Sequence, residues 1–115
     1  MIVRVKAGSG RNVDVDVDRV GFFGKIFGLM FRSKKTRSLL LEFGREERWK
    51  IHSCFVFFDF LAVWLDSDDK IVGIRKMRPF EFCVGPEKKF RKLVEIPFNE
   101  RNKEIINLLV GKRKV

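Results

Sequence analysis

The chain has one histidine, His52, two residues from Cys54, which is one of its two cysteines. On a strand, positions two apart share a face. A thiolate–imidazole pair is therefore one chemistry that this spacing offers. Such a pair also needs a third group to orient the imidazole. No such group is identifiable in the sequence; an enzyme would rely on His52 with Cys54 or Asp59. The plainer reading is a histidine bonded to backbone beside a core cysteine. Zinc takes four ligands, and His52, Cys54 and Cys83 supply three, so no metal is expected. Asp66, Asp68 and Asp69 cluster as in a calcium loop, but the central glycine and closing glutamate of that loop are missing. There is no glycine-rich phosphate loop and no dinucleotide fingerprint, so no cofactor is expected. The balance favours a non-enzymatic protein.

Charge is the second chemical signal. Lysine and arginine number 25 against 15 acids, a net charge of +10. Such a surplus favours phosphate backbones or anionic surfaces. Residues 19–37 hold six bases, Lys34, Lys35 and Arg37 among them, and no acid. Residues 70–92 hold eight bases, including Lys88, Lys89, Arg91 and Lys92, against two acids. Phe80, Phe82 and Phe90 interleave with this second group and could stack bases. With 13 Phe and no Tyr in the chain, they read better as core. Basicity also has a compositional reading. Glutamine is absent and Thr36 is the only threonine, as in thermophile-like surfaces rich in Lys, Arg and Glu.

At 115 residues and 45% hydrophobic, the chain reads as one domain, residues 1–115, able to bury a core without disulfides. No apolar run approaches a membrane span. Met1–Lys6 has no apolar leader region, so a cytoplasmic location is expected.

The elements follow from periodicity. Ile2–Lys6 and Val13–Asp18 alternate apolar and charged residues and predict a hairpin. Its three aspartates face solvent opposite Arg4 and Lys6. Arg19–Arg32 has helical spacing in Phe22, Phe23, Ile26, Phe27 and Met30. Its three glycines make that helix dependent on packing. A basic, Phe-rich helix of this kind can also lie on a lipid surface, but a core helix is expected. Ser38–Phe43 predicts a buried strand, with a charged turn over residues 44–48. Extended chain is expected over 49–58. Leu61–Leu65, a turn at Asp66–Asp69 and Lys70–Lys76 predict a second hairpin. Leu93–Ile96 predicts another strand, and Asn99 caps a helix running to about Leu108. The sum is a mainly β, α+β fold with two short helices, a small mixed and mostly antiparallel barrel or jelly-roll-like sandwich.

Three stretches, Gly28-Leu-Met-Phe-Arg32, Ile51–Phe58 running into Val63–Asp66, and Leu93-Val-Glu-Ile-Pro97, occur in an order that resembles the uncharacterised prokaryotic family domain of unknown function 192. The resemblance implies a small barrel or jelly-roll fold and no established activity. It places Gly28–Arg32 in a short helix on the sheet and His52 after the first inner strand. This chain has Asp59-Phe-Leu61 where the family usually has Pro-Ile-Asp, and Gly111-Lys112 where it usually has Gly-Asp.

The resulting expectation is a binding or accessory module for a small anionic or sugar-like ligand, at a face carrying Arg32, His52, Asp59 and Trp64. The alternative is a basic RNA- or DNA-binding module using Lys34, Lys35, Lys88, Lys89, Arg91 and Lys92. Oligomeric state is not legible in the sequence.

Overall fold

A computed structural model describes residues 1–6, 12–19, 37–47, 56–81, 85–86 and 88–110. Six strands form one sheet: β1 (Ile2–Lys6), β2 (Asn12–Arg19), β3 (Ser38–Glu47), β4 (Phe60–Leu65), β5 (Ile71–Met77) and β6 (Phe90–Pro97). Their order is β1-β2-β3-β6-β4-β5. The sheet curls into a half-barrel. The main-chain N–H of Lys6 at the end of β1 donates to the carbonyl of Asp69 at 2.8 Å, beside a parallel bridge between Lys6 and Lys70. The two edges of the sheet therefore meet at one corner.

The curl creates an inside. Val3, Val5, Val13, Val15 and Val17 from the first hairpin point inward, with Leu40, Leu61, Val63, Leu65, Val94 and Ile96 from the other strands. A short 3₁₀ turn (Glu100–Asn102) leads into helix α1 (Lys103–Val110), which adds Ile106 and Leu109 to the same cluster. The opposite face of the larger strands carries a second cluster, with Leu39, Leu41, Phe43, Phe60, Trp64 and Phe90 among its members. Every residue of β4 is buried because both its faces are covered. A strand covered on both sides reads as a continuous apolar run, here Phe-Leu-Ala-Val-Trp-Leu.

Local chemistry sets the corners. At the β4–β5 turn, the Asp66 carboxylate accepts from the main-chain N–H groups of Asp68 (2.8 Å) and Lys70 (3.1 Å). Asp69 sits at φ 64°, a conformation that short polar side chains tolerate. These acids are turn-makers, with Asp69 also paired to Lys92 at 2.7 Å. At the helix start, the Asn99 side chain accepts from the N–H of Asn102 at 2.9 Å. The buried Asn102 amide in turn donates to the Pro97 carbonyl at 2.9 Å, tying the turn to the end of β6.

Several expectations need correction. One α-helix is present among the described residues; of the helix expected over 19–32, Arg19 is the last residue of β2, and the rest, with Phe23 and Phe27, lies outside them. The charged turn expected over 44–48 is not a turn where described. β3 continues to Glu47, and its register on β6 slips between Glu42 and Glu47, so the extra residues are absorbed by an irregularity in the ladder. Residues 56–59 are not strand, although Val56 and Phe58 are buried. β2 and β3 run parallel over Val17–Arg19 and Ser38–Leu40. A parallel pair requires a crossover connection, and the expectation of a mostly antiparallel fold did not include this pair.

The aspartate face of the hairpin is held by ion pairs. Arg4 reaches Asp14 at 3.0 Å, its register partner. Arg37 reaches Asp16 at 2.6 Å and Asp18 at 3.2 Å, and the N-terminal ammonium reaches Asp16 at 3.4 Å. The hydrogen bond from Arg4, helped by its charge, holds the Asp14 carboxyl below the usual range. Desolvation works against Asp16, but Arg37 and the N-terminus outweigh it, and its pKa is also lowered. A carboxylate with a lowered folded-state pKa binds fewer protons in the native state than in the unfolded one. Its contribution to stability is present above the unfolded value of about 4 and is lost as pH falls through the folded value. Denaturant melts of wild type and Arg4→Ala at pH 7 and pH 3 should therefore converge at the lower pH. A gap that stays constant with pH would show that the Arg4–Asp14 pair does not stabilise the hairpin.

Candidate ligand-binding site

Of the residues expected to form a site, two are described, and those two lie on different faces. Arg32 and His52, with Cys54, Cys83, Lys34 and Lys35, lie outside the described residues. Asp59 and Trp64 are described, and they point to opposite sides of the sheet. Trp64 belongs with Phe60 and Ala62 to the outer cluster. The Asp59 carboxylate pairs at 3.4 Å with Lys76, whose register partner Leu61 faces inward. Register partners share a face, so the pairing with Lys76 puts the Asp59 carboxylate on the inner side, away from Trp64.

Trp64 is 2% exposed. Gly73, its register partner on β5, lies under Pro86: a Cβ at that position would stand 2.9 Å from the Pro86 Cβ and 3.2 Å from Trp64 Cε3. Phe90 meets the indole edge-on, with ring centroids 6.4 Å apart. The indole Nε1–H is buried without an acceptor, a costly state for a donor. On the same outer face Glu95 is 5% exposed, flanked in register by Leu39 and Ala62. The sequence reading passed over Glu95. The signal was an acid inside the apolar run Leu93-Val-Glu-Ile-Pro97, since carboxylates are almost never buried without partners.

Asp59 lies at the other end of the molecule's chemistry. Its carbonyl accepts from the N–H of Phe98 at 3.0 Å, and the Lys76 ammonium stands 5.1 Å from the centroid of the Phe98 ring. Phe98 and Ile106 form the apolar floor of a cleft of about 660 Å³. Its rim is Asn99, Arg101, Lys103 and Asn107, with Glu100 the one acid. The Asn99 cap and the short turn place these side chains by fixing how the chain leaves β6. An apolar floor with a few polar groups at the rim, in a volume of several hundred Å³, is the usual make-up of a small-molecule site.

The basic residues fall into two groups. Lys88, Lys89 and Arg91 are exposed, and none forms an ion pair among the described residues. Lys92 is engaged with Asp69. Phe90 is fully buried, as core residues are, but Phe80 is 51% exposed. Phe80 also holds φ 62°, a strained conformation for an aromatic residue, and meets the exposed Phe57 edge-on at 5.8 Å. The expectation of a core Phe80 is thus overturned: the turn after Pro79 presents the ring outward. Among the described residues no group of acids, histidines and cysteines is arranged to hold a metal. No helix among them is long and apolar enough to cross a membrane.

The Gly73–Pro86–Trp64 contact makes a test of the outer face. Gly73→Ala should cost roughly 1–3 kcal/mol, as inserted methyls in packed sites do, and should shift the emission of Trp64. An unchanged denaturation midpoint would mean that Pro86 does not pack over Gly73.

Comparison with known proteins fits this architecture. A protein from Sinorhizobium meliloti 1021, named "putative transcription regulator", superposes with a TM-score of 0.72 at 19% identity, over 89% of this chain and 82% of that one. A protein of unknown function from Novosphingobium aromaticivorans DSM 12444 superposes with a TM-score of 0.73 at 13% identity, over 90% of this chain and 76% of that one. At such identities the likeness is one of fold. No curated protein matches. The family model of domain of unknown function 192, described as "Uncharacterized ACR", matches residues 3–108. The chain therefore belongs to that family, for which no specific function is shown.

Proposed function

We propose that the protein is a non-enzymatic binding module for a small anionic ligand, seated in the cleft at the start of α1. The observation that carries this reading is the cleft itself: about 660 Å³, floored by Phe98 and Ile106, with Arg101 and Lys103 outnumbering Glu100 at its rim. Asp59 borders it through Lys76 and Phe98. Two cations against one acid favour an anionic group, and Asn99 and Asn107 add amides that suit hydroxyls. A sugar phosphate meets both demands. In this reading Trp64 supports the opposite face and does not touch the ligand.

Calorimetric titration with glucose 6-phosphate, inorganic phosphate and glucose separates the contributions. Binding of the phosphate-bearing probes is expected, weakened about tenfold or more by Lys103→Ala, as loss of one charged hydrogen bond implies. Equal binding of glucose, or no effect of Lys103→Ala, would sink the reading.

A second reading rests on a separate observation. The exposed Phe57–Phe80 pair, beside the Pro97 end of β6, offers rings on which bases stack, and the exposed cations Lys88, Lys89 and Arg91, toward the other end of that strand, offer contacts for phosphates further along the same single strand. Mobility shifts of single-stranded RNA at two salt concentrations decide it. Affinity should fall steeply with salt and drop on Phe80→Ala; no shift at low salt ends it.

A further inference from the structure

The sheet is split beside β2. Strands β2 and β3 pair only over Val17–Arg19, so residues 12–16 have β1 on one side and, among the described residues, no strand on the other. The N–H of Val17 donates to the Met1 carbonyl on the β1 side at 2.8 Å. Main-chain groups of alternate residues point to alternate sides of a strand. Those of Asp14 and Asp16 therefore face the split. The Val17–Ser38 bridge uses the Asp16 carbonyl, so among the described residues the Asp14 N–H and C=O and the Asp16 N–H stand there without a strand partner.

The split is a crevice of about 210 Å³, roofed by Ile105 and Arg101 from the helical end and closed by Arg37 and Ser38. Ser38 is 2% exposed, and its hydroxyl Oγ has no hydrogen-bond partner. A buried hydroxyl with nothing to bond is a group shaped for an occupant. The charges sort themselves. Asp14 is taken by Arg4, and Asp16 by Arg37 and the N-terminal ammonium. Arg101 is exposed, forms no ion pair among the described residues, and is the cation left over.

We infer that this crevice takes the terminal residue of an acylated chain with a free carboxylate, an N-acyl amino acid or the C-terminus of a peptide. The ligand adds a short length of strand to the β2 edge, donating its amide N–H to the Asp14 carbonyl and accepting from the Asp16 N–H, in the manner of edge-strand addition. Its carboxylate sits between the Arg101 guanidinium and the Ser38 hydroxyl, which gains the partner it lacks. Its side chain meets Ile105. The volume admits one or two residues and no more, so the terminus itself is what is recognised. This site is separate from the cleft at the start of α1, which shares only Arg101 with it.

Amide-resolved NMR titration of the full chain with N-acetylvaline, and with a five-residue peptide ending in valine, tests the inference. Shifts are expected at the amides of Asp14, Asp16 and Ser38. Binding should fall about tenfold or more when the carboxylate of either probe is capped as a carboxamide. Ser38→Ala should weaken binding while leaving the melting temperature equal or higher, because it removes a hydroxyl that is unsatisfied in the free protein. Lys103→Ala should change nothing here, which keeps this site's failure distinct from that of the cleft. A longer peptide that binds more tightly than N-acetylvaline assigns a chain terminus, and equal affinities assign the small acyl amino acid. Absent shifts at 10 mM probe (a concentration set by the weak end of the affinity scale, about 1 mM) overturn the inference, as does equal binding of the carboxamides.

Discussion

A sheet of six strands can enclose an apolar interior only if it curls, and a curled sheet must do something with its two edges. Here the edges meet at one corner, where the Lys6 N–H reaches the Asp69 carbonyl and Lys6 bridges Lys70. That contact depends on the turn made by Asp66, whose carboxylate organises two main-chain N–H groups. The inward valines of β1 and β2 are buried because the corner closes. On the other side the closure is incomplete. β2 parts from β3 after three residue pairs, and the helical end covers the gap with Ile105, Ile106 and Leu109.

Both candidate sites follow from that incomplete closure. The turn and helix that cover the gap bring Arg101 and Lys103 to the end of β6, which makes the cleft. The gap that they do not fill leaves Ser38 buried with an idle hydroxyl. The outer face behaves differently. It is covered over β4 and β6 and bare over β1 and β2, where ion pairs to three aspartates take the place of apolar cover.

Elements whose signal is local were legible in the sequence. The alternation of Ile2–Lys6 with Val13–Asp18 marked both the hairpin and its charged face. The aspartates after Leu65 marked a turn, and Asn99 marked a helix start, because each of these residues bonds within a few positions of itself. Features set by partners far along the chain were not legible. The length of β3 depends on Phe90 pairing with Glu47, and the parallel run of β2 beside β3 depends on a crossover. Asp59 and Trp64 looked like neighbours in sequence, but Asp59 precedes the strand and pairs with Lys76 on the inner side, while Trp64 packs in the outer cluster. Phe80 looked like core because every other feature of the chain's phenylalanines said core. Its backbone at φ 62° turns it outward, and nothing in Arg-Pro-Phe-Glu discloses that angle.

The strand order also carries a consequence for the chain as it is made. β6 lies between β3 and β4 and pairs with both, yet it follows them, and β5, in sequence. Until Phe90–Pro97 has been synthesised, β3 and the β4–β5 hairpin have no shared neighbour, and each offers a bare, strongly apolar edge. Unpaired edges of this kind invite pairing with other chains. The nascent protein therefore passes through a window, about forty residues long at its widest from β3 to β6, in which its most apolar strands wait for their keystone. Slow translation across that stretch would lengthen the exposure, and a chaperone that shields strand edges would act there and not on the first hairpin, whose two strands are adjacent and pair as soon as they are made.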